Sequence, residues 1–270
     1  MKLFDLLNCY APISPASCKI HLACYNGTEE PLDVYFSGDF KPWQESQNQK
    51  NFERSNILGL IQLPSKNSWL YVGIFSSSGC LPREGGQGFI YQTAELLEYS
   101  EFAGRLIVNF ERPGRQSYLL AENWTDQILV SELSRTKHTI PDFPGYKVLS
   151  VSMSQLSVIV GESIISWKSA LASVSGVYLI TDSHTGKLYV GSAYGDGGFW
   201  GRWSEYVPSG HGGNVRLRNI ISSNGADYHK NFRFSILEVC DSSASKEDVI
   251  ARESHWKRVL CTQIFGYNEN

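Results

Sequence analysis

Seven short apolar runs follow one another between residues 32 and 152: LDVYF (32–36), NILGLIQL (56–63), SWLYVGIFSS (68–77), GFIYQ (88–92), GRLIVNF (104–110), QILVSEL (127–133) and YKVLSVS (146–152). Gly, Pro, Asn and Ser punctuate them, the pattern of a barrel or sandwich of short strands. One helix is expected to interrupt the series, at TAELLEYSEF (93–102). After Ser154 the apolar period lengthens: Leu156, Ile159 and Val160, then Ile164, Trp167, Leu171 and Val174, recur at helical spacing. A chain that changes period in this way divides into a β-rich unit, residues 1–150, and a mixed unit, residues 151–270, with the proline-containing stretch HTIPDFPGY (138–146) as a surface crossing or domain edge.

With 42% hydrophobic and 19% charged residues, the 270-residue chain has the apolar content for ordered cores. Its net charge of −3 excludes a binder whose affinity for nucleic acid comes from bulk positive charge. Lys and Arg number 14 against 17 Asp and Glu in residues 1–175, and 10 against 10 in 176–270, so the acidity lies in the first part. None of the six cysteines stands in C-x-x-C spacing, which argues against structural zinc or a redox dithiol and for reduced thiols. Asp5 and Asn8 break the short apolar run at the start, a poor secretory signal, and no apolar run approaches the ~18–20 residues of a membrane span. A cytoplasmic protein without a membrane segment is expected.

The second unit is the more informative. GVYLITD (176–182) and KLYVGSA (187–193) read as strands, and Gly186 in the intervening SHTG suits a tight hairpin. A glycine-rich stretch holding Trp200, Trp203 and Tyr206 leads to a helix at NVRLRNIISS (214–223). A third strand follows at NFRFSILEV (231–239), and Ser245 with Asp248 forms a capping box that opens a helix over 246–260.

On that last helix Val249, Trp256 and Leu260 form an apolar stripe, and Glu253 falls within it. A carboxylate so placed needs a cation or an ion-pair partner such as Arg202. If WGRWSEY is helical, Arg202 and Tyr206, four apart, share a face and can grip one phosphate; the alternative is a solvated arginine beside a packed ring. Tyr178 and Tyr189 stand on the two hairpin strands, beside Gly176 and Gly191, where they face one cleft or simply fill the sheet.

GVY at 176–178, YVG at 189–191, Arg202 eleven residues later, Glu253 and Asn268 together resemble the GIY-YIG nucleases over about residues 170–270. The resemblance implies a small α/β domain whose three-stranded sheet is flanked by helices; with the β-rich N-terminal domain read from the strand pattern ahead of it, an α+β chain is expected. It also implies cleavage of double-stranded DNA with one Mg²⁺ or Mn²⁺. Carried over by position, Glu253 holds the metal, Arg202 stabilises the pentavalent phosphate, and Tyr178 or Tyr189 activates the attacking water. Tyr206 and Asn268 position phosphate and close the site. Excision-repair members have a lysine three residues after the second-motif tyrosine; here that residue is Ser192, with Lys187 or His211 as substitutes.

Arg202, Arg216, Arg218, Lys230 and Arg233 outnumber Glu205 and Asp227 between Gly198 and Ile236, a local basic surface suited to phosphate. With His211 and Asn214 of the HGGN loop and Lys187, they are the expected substrate-binding residues. The leading expectation is a restriction or phage-defence endonuclease that leaves 5′-phosphate and 3′-hydroxyl ends, with residues 1–150 recognising the target. Trp43, Trp69, Tyr71, Phe89 and Tyr91 are candidates there for stacking on an extruded base. Cutting both strands of a palindrome favours a homodimer. The alternatives are a repair nuclease acting on DNA structure and a DNA-binding module that does not cut.

Overall fold

A computed structural model describes residues 1–241 and 243–269, and the chain separates into two compact units, Met1–Thr139 and Ile140–Asn270. The first unit contains α1 (Leu3–Asn8), β1 (Cys18–Ala23), α2 (Pro31–Phe36), α3 (Phe40–Glu45), β2 (Ser46–Gln47), β3 (Asn56–Gln62), β4 (Ser68–Pro82), β5 (Phe89–Glu95), β6 (Leu106–Asn109), β7 (Tyr118–Leu120) and β8 (Leu129–Leu133). The strands form one mixed sheet with the order β2-β5-β4-β3-β1-β7, β6 pairing with both β4 and β8. A core that includes Ile20, Leu22, Leu58, Leu60, Trp69 and Tyr71 holds it together.

This departs from the expected barrel or sandwich because CKIHLA forms an unforeseen interior strand, β1, which runs parallel to β3. A parallel pair needs a long crossover, and residues 24–55 supply it with α2 and α3. The expected strand at 32–36 is helix α2: Pro31 occupies its first turn, where the fixed φ of proline starts a helix. The expected helix at 93–102 is absent. Thr93, Ala94 and Glu95 pair with Ser77, Ser76 and Phe75 of the long β4, so a waiting strand edge overrides local helix propensity. Leu97–Phe102 close as a 3-10 turn.

The second unit contains β9 (Ser150–Ser152), α4 (Met153–Gly161), α5 (Ile165–Ala172), β10 (Gly176–Asp182), β11 (Leu188–Ala193), α6 (Gly198–Ser204), α7 (Tyr206–Ser209), α8 (Val215–Asn224), β12 (Phe232–Val239) and α9 (Lys246–Val259). The sheet order is β11-β10-β12-β9, all antiparallel. The expected three strands thus acquire a fourth at the edge. Ser150–Ser152 pairs with β12, which places the last of the seven runs in this unit and its start at Ile140.

Local sequence explains the helix ends. Ser152 with Gln155 and Ser245 with Asp248 are complete capping boxes, and Asn214 caps α8 through Leu217 N–H. Arg252 makes a two-pronged contact to Glu238 at 2.8–3.0 Å, and Trp256 Nε1–H donates to the same carboxylate at 2.7 Å, tying α9 to β12. Among the described residues no helix is long and apolar enough to cross a membrane.

Candidate active site

The hairpin register places Tyr178 opposite Gly191 and Ile180 opposite Tyr189, so both tyrosines emerge on one face of the sheet. Gly191 is required by contact: a Cβ there would lie 2.4 Å from the Tyr178 ring and hydroxyl. The turn is anchored by buried Asp182, which accepts from Thr185 Oγ1 at 2.7 Å, Tyr228 OH at 2.8 Å and Tyr267 OH at 2.6 Å. Burial opposes its ionisation, but these hydrogen bonds win and hold its carboxyl below the usual range.

Across the hairpin face stand α6 and α7. Arg202 donates from Nε to Tyr178 OH at 3.1 Å and from an Nη to Tyr206 OH at 3.3 Å, and it pairs with Glu205 through the other Nη. The two phenols are themselves 2.8 Å apart. Tyr178 and Tyr206 are fully buried, and burial is the chief reason that both pKa values are raised; Arg202 only partly offsets it. Tyr178 is therefore a persistent hydrogen-bonding phenol at neutral pH. Tyr189, 8% exposed, has a hydroxyl with no hydrogen-bond partner among the described residues.

Glu253 reaches the same place from α9, which packs on β10 and β11. Its side chain is 16% exposed. One carboxylate oxygen accepts from Ser192 Oγ, and the other meets Lys257 Nζ at 2.7 Å, one helical turn on. Tyr178, Tyr189, Ser192, Arg202 and Glu253 together line a cavity of about 420 Å³.

Residues 174–268 match the family model of the GIY-YIG catalytic domain. Two solved structures are similar to this part of the chain. The catalytic domain of homing endonuclease I-TevI is 31% identical, with 36% of this chain and 98% of that one covered and a TM-score of 0.29. A glutamate-to-alanine mutant of the catalytic domain of intron endonuclease I-TevI is 29% identical, with 36% and 94% covered and a TM-score of 0.30. Residues 174–268 belong to the GIY-YIG nuclease family. A search of the curated proteins found no match.

Of the six candidate catalytic residues, the GIY-YIG domain brings Tyr178, Tyr189, Arg202 and Glu253 to the cavity wall. Tyr206 sits behind them, its hydroxyl spent on Tyr178 and Arg202. Asn268 is buried on the outer edge of β11, accepting from Val190 N–H at 2.9 Å and donating to Val190 C=O at 2.8 Å. It acts as a one-residue strand that holds the segment carrying Tyr189.

None of the expected substrate-binding residues lines this cavity. Asn214 is a helix cap; Arg216 donates to the carbonyls of Gly266 and Asn268 and pairs with Glu269; Arg233 reaches the Ser150 carbonyl. Each satisfies backbone or carboxylate groups of its own unit. Lys230 pairs with Asp227, Lys187 lies over the Tyr267 ring, and His211 Nδ1 accepts from Gly213 N–H, while Arg218 is exposed on α8.

The ion-pair partner of Glu253 is Lys257 and not Arg202, because the guanidinium is already committed to Tyr178, Tyr206 and Glu205. Lys257 and Ser192 were not singled out from sequence as site residues. The i,i+4 spacing of Glu253 and Lys257 was the available signal. A hard divalent cation suits this donor set: Glu253 offers carboxylate oxygens at an open wall, and the position already accommodates a positive charge, the Lys257 ammonium. Among the described residues no cluster of three or more His, Cys, Asp or Glu is placed to hold a metal, so the rest of its shell would come from phosphate and water.

Proposed function

We propose that the chain is a metal-dependent DNA endonuclease of the restriction or phage-defence kind. The observation that carries this reading is the convergence of Arg202, two tyrosines and Glu253 on one cavity of about 420 Å³.

Arg202, already oriented by Tyr178 and Tyr206, takes the scissile phosphate and spreads the charge that grows on its equatorial oxygens. Tyr178 is buried and doubly engaged, so its part is to aim that guanidinium. Tyr189 presents its hydroxyl at the cavity wall and orients the attacking water; the phenol first gives its own proton to solvent, and the resulting phenolate takes the proton of that water. Attack in line with the 3′-oxygen forms the new P–O bond as the P–O3′ bond breaks, giving 5′-phosphate and, once the leaving oxygen is protonated, 3′-hydroxyl ends. Glu253 would hold Mg²⁺ or Mn²⁺, which would supply compensation for charge on the leaving group. One such site per chain favours a two-fold dimer for cutting both strands.

The test is incubation of wild type and Glu253→Gln with unmodified and base-modified genomic DNA in Mn²⁺, followed by end sequencing. Discrete fragments with 5′-phosphate ends from wild type alone support the proposal. Cutting confined to branched or lesioned DNA replaces restriction with repair, and binding without any nick leaves a non-cutting module.

A further inference from the structure

A second cavity, of about 670 Å³, lies wholly within the first unit. That volume is in the range of small-molecule sites, roughly 300–1,000 Å³. Of the five aromatics singled out in this unit, Trp69, Tyr71 and Tyr91 are buried in the core, and Trp43 lines this cavity with Tyr118. The ring of His21 lies nearly parallel to both, 5.8 Å from Trp43 at 20° and 5.3 Å from Tyr118 at 7°.

The polar groups beside these rings are held in place before anything binds. Gln47 accepts from Tyr118 OH at 2.6 Å and Asn51 Nδ2 at 2.9 Å, and donates to the Gln44 carbonyl at 2.7 Å. His21 is 3% exposed, with Nδ1 on Gln44 Oε1 at 3.1 Å. Burial pushes its pKa down to about 4, so the ring is neutral, and its Nδ1 is engaged by Gln44. Arg83, Arg112 and Arg115 also line the cavity, against a single carboxylate, Glu29, which accepts from Trp43 Nε1. The Arg112 fork is set by neutral acceptors, the carbonyls of Gln116 and Arg115 and the hydroxyl of Ser117, and Arg83 bonds the Ser46 hydroxyl. Their charge stays available to an anion.

Flat rings, a neutral imidazole at the cavity wall and guanidinium groups held by neutral acceptors match the three parts of a nucleotide: a π face, a polar base edge, and a phosphate. We infer that this cavity takes one nucleobase extruded from duplex DNA, stacked on Trp43 with its polar edge at His21 and its phosphate on the arginines. The inference rests on the nuclease reading and supplies the target selection that reading requires.

The test uses the full chain in EDTA, which stops cutting, and a duplex with an unpaired 2-aminopurine, where extrusion costs least. Wild type should change the probe's fluorescence. Trp43→Leu should abolish that response and weaken binding about tenfold, the worth of one base–aromatic stack, and Arg115→Glu on the exposed rim should weaken it similarly. Thermal melts identify any variant that fails to fold, Arg115→Glu then standing in for Trp43→Leu. Unchanged response and affinity in folded Trp43→Leu and Arg115→Glu overturn the inference and leave the nuclease reading intact. Displacement of the probe by free mononucleotides as tightly as by duplex also overturns it, in favour of a free-nucleotide site. A protein that binds no DNA removes both readings.

Discussion

Gly191 stands directly across the strand pair from Tyr178, and a Cβ at that position would lie 2.4 Å from the phenol that Arg202 bonds. The close approach makes the second-motif glycine part of the site geometry. Gly191→Ala is expected to push the Tyr178 ring away from Arg202 and to cost about 1–3 kcal/mol of stability through overpacking. Urea melts and a nicking assay check this together; an alanine variant with wild-type melting and cutting would disprove the packing role.

Arg202→Lys keeps the charge and removes the fork that joins Tyr178 to Tyr206. Cleavage should fall about a hundredfold or more, while DNA affinity changes little. Single-turnover kinetics separate the two; a lysine variant within about twofold of wild type would show that charge without geometry suffices.

Lys257 neutralises Glu253 at 2.7 Å, in competition with any divalent cation. Lys257→Met should lower stability without metal, because a largely enclosed carboxylate loses its partner, and should tighten Mn²⁺ binding. Calorimetric Mn²⁺ titration and melts with and without Mn²⁺ read both effects. Weaker Mn²⁺ binding in the variant would mean that the ammonium supports the metal site and does not compete with it.

His21 gives the first unit a pH dependence of known sign. Its folded pKa of about 4 lies below the ordinary imidazole value of about 6.5, so the unfolded chain binds the extra proton between those two limits. Stability is full above about pH 6.5, declines as pH falls below it and stops declining from this source below about 4. Between pH 7 and pH 5 the loss is about 2 kcal/mol. Urea unfolding of wild type and His21→Gln at the two pH values tests this, since the glutamine variant should lack that part of the decline.

The elements read correctly from sequence are those fixed by neighbours a few residues apart. The hairpin 176–193, the capping box at Ser245 and the shared face of Arg202 and Tyr206 all follow from spacing, and the structure contains each. The errors have the opposite origin. Residues 93–95 have helix-forming side chains and pair with β4, and Ser150–Ser152 joins a strand some eighty residues away. Asn214, Arg216 and Arg233, expected to bind substrate, also satisfy backbone groups of their own unit, which residue type alone does not reveal.

Residue type and periodicity therefore sufficed for a β-rich first unit, the hairpin at 176–193 and a carboxylate on the last long helix. Those features come from local steric preference and apolar repeat, which the chain carries wherever it goes. Burial depth, partner choice and cavity walls depend on which distant segments meet: Tyr178 is enclosed while Tyr189 keeps a free hydroxyl, Glu253 answers to Lys257, and His21 lies beside Trp43 and Tyr118. The free energy of a charge or hydroxyl is set by the dielectric and the hydrogen-bond partners around it, and those surroundings are assembled by packing.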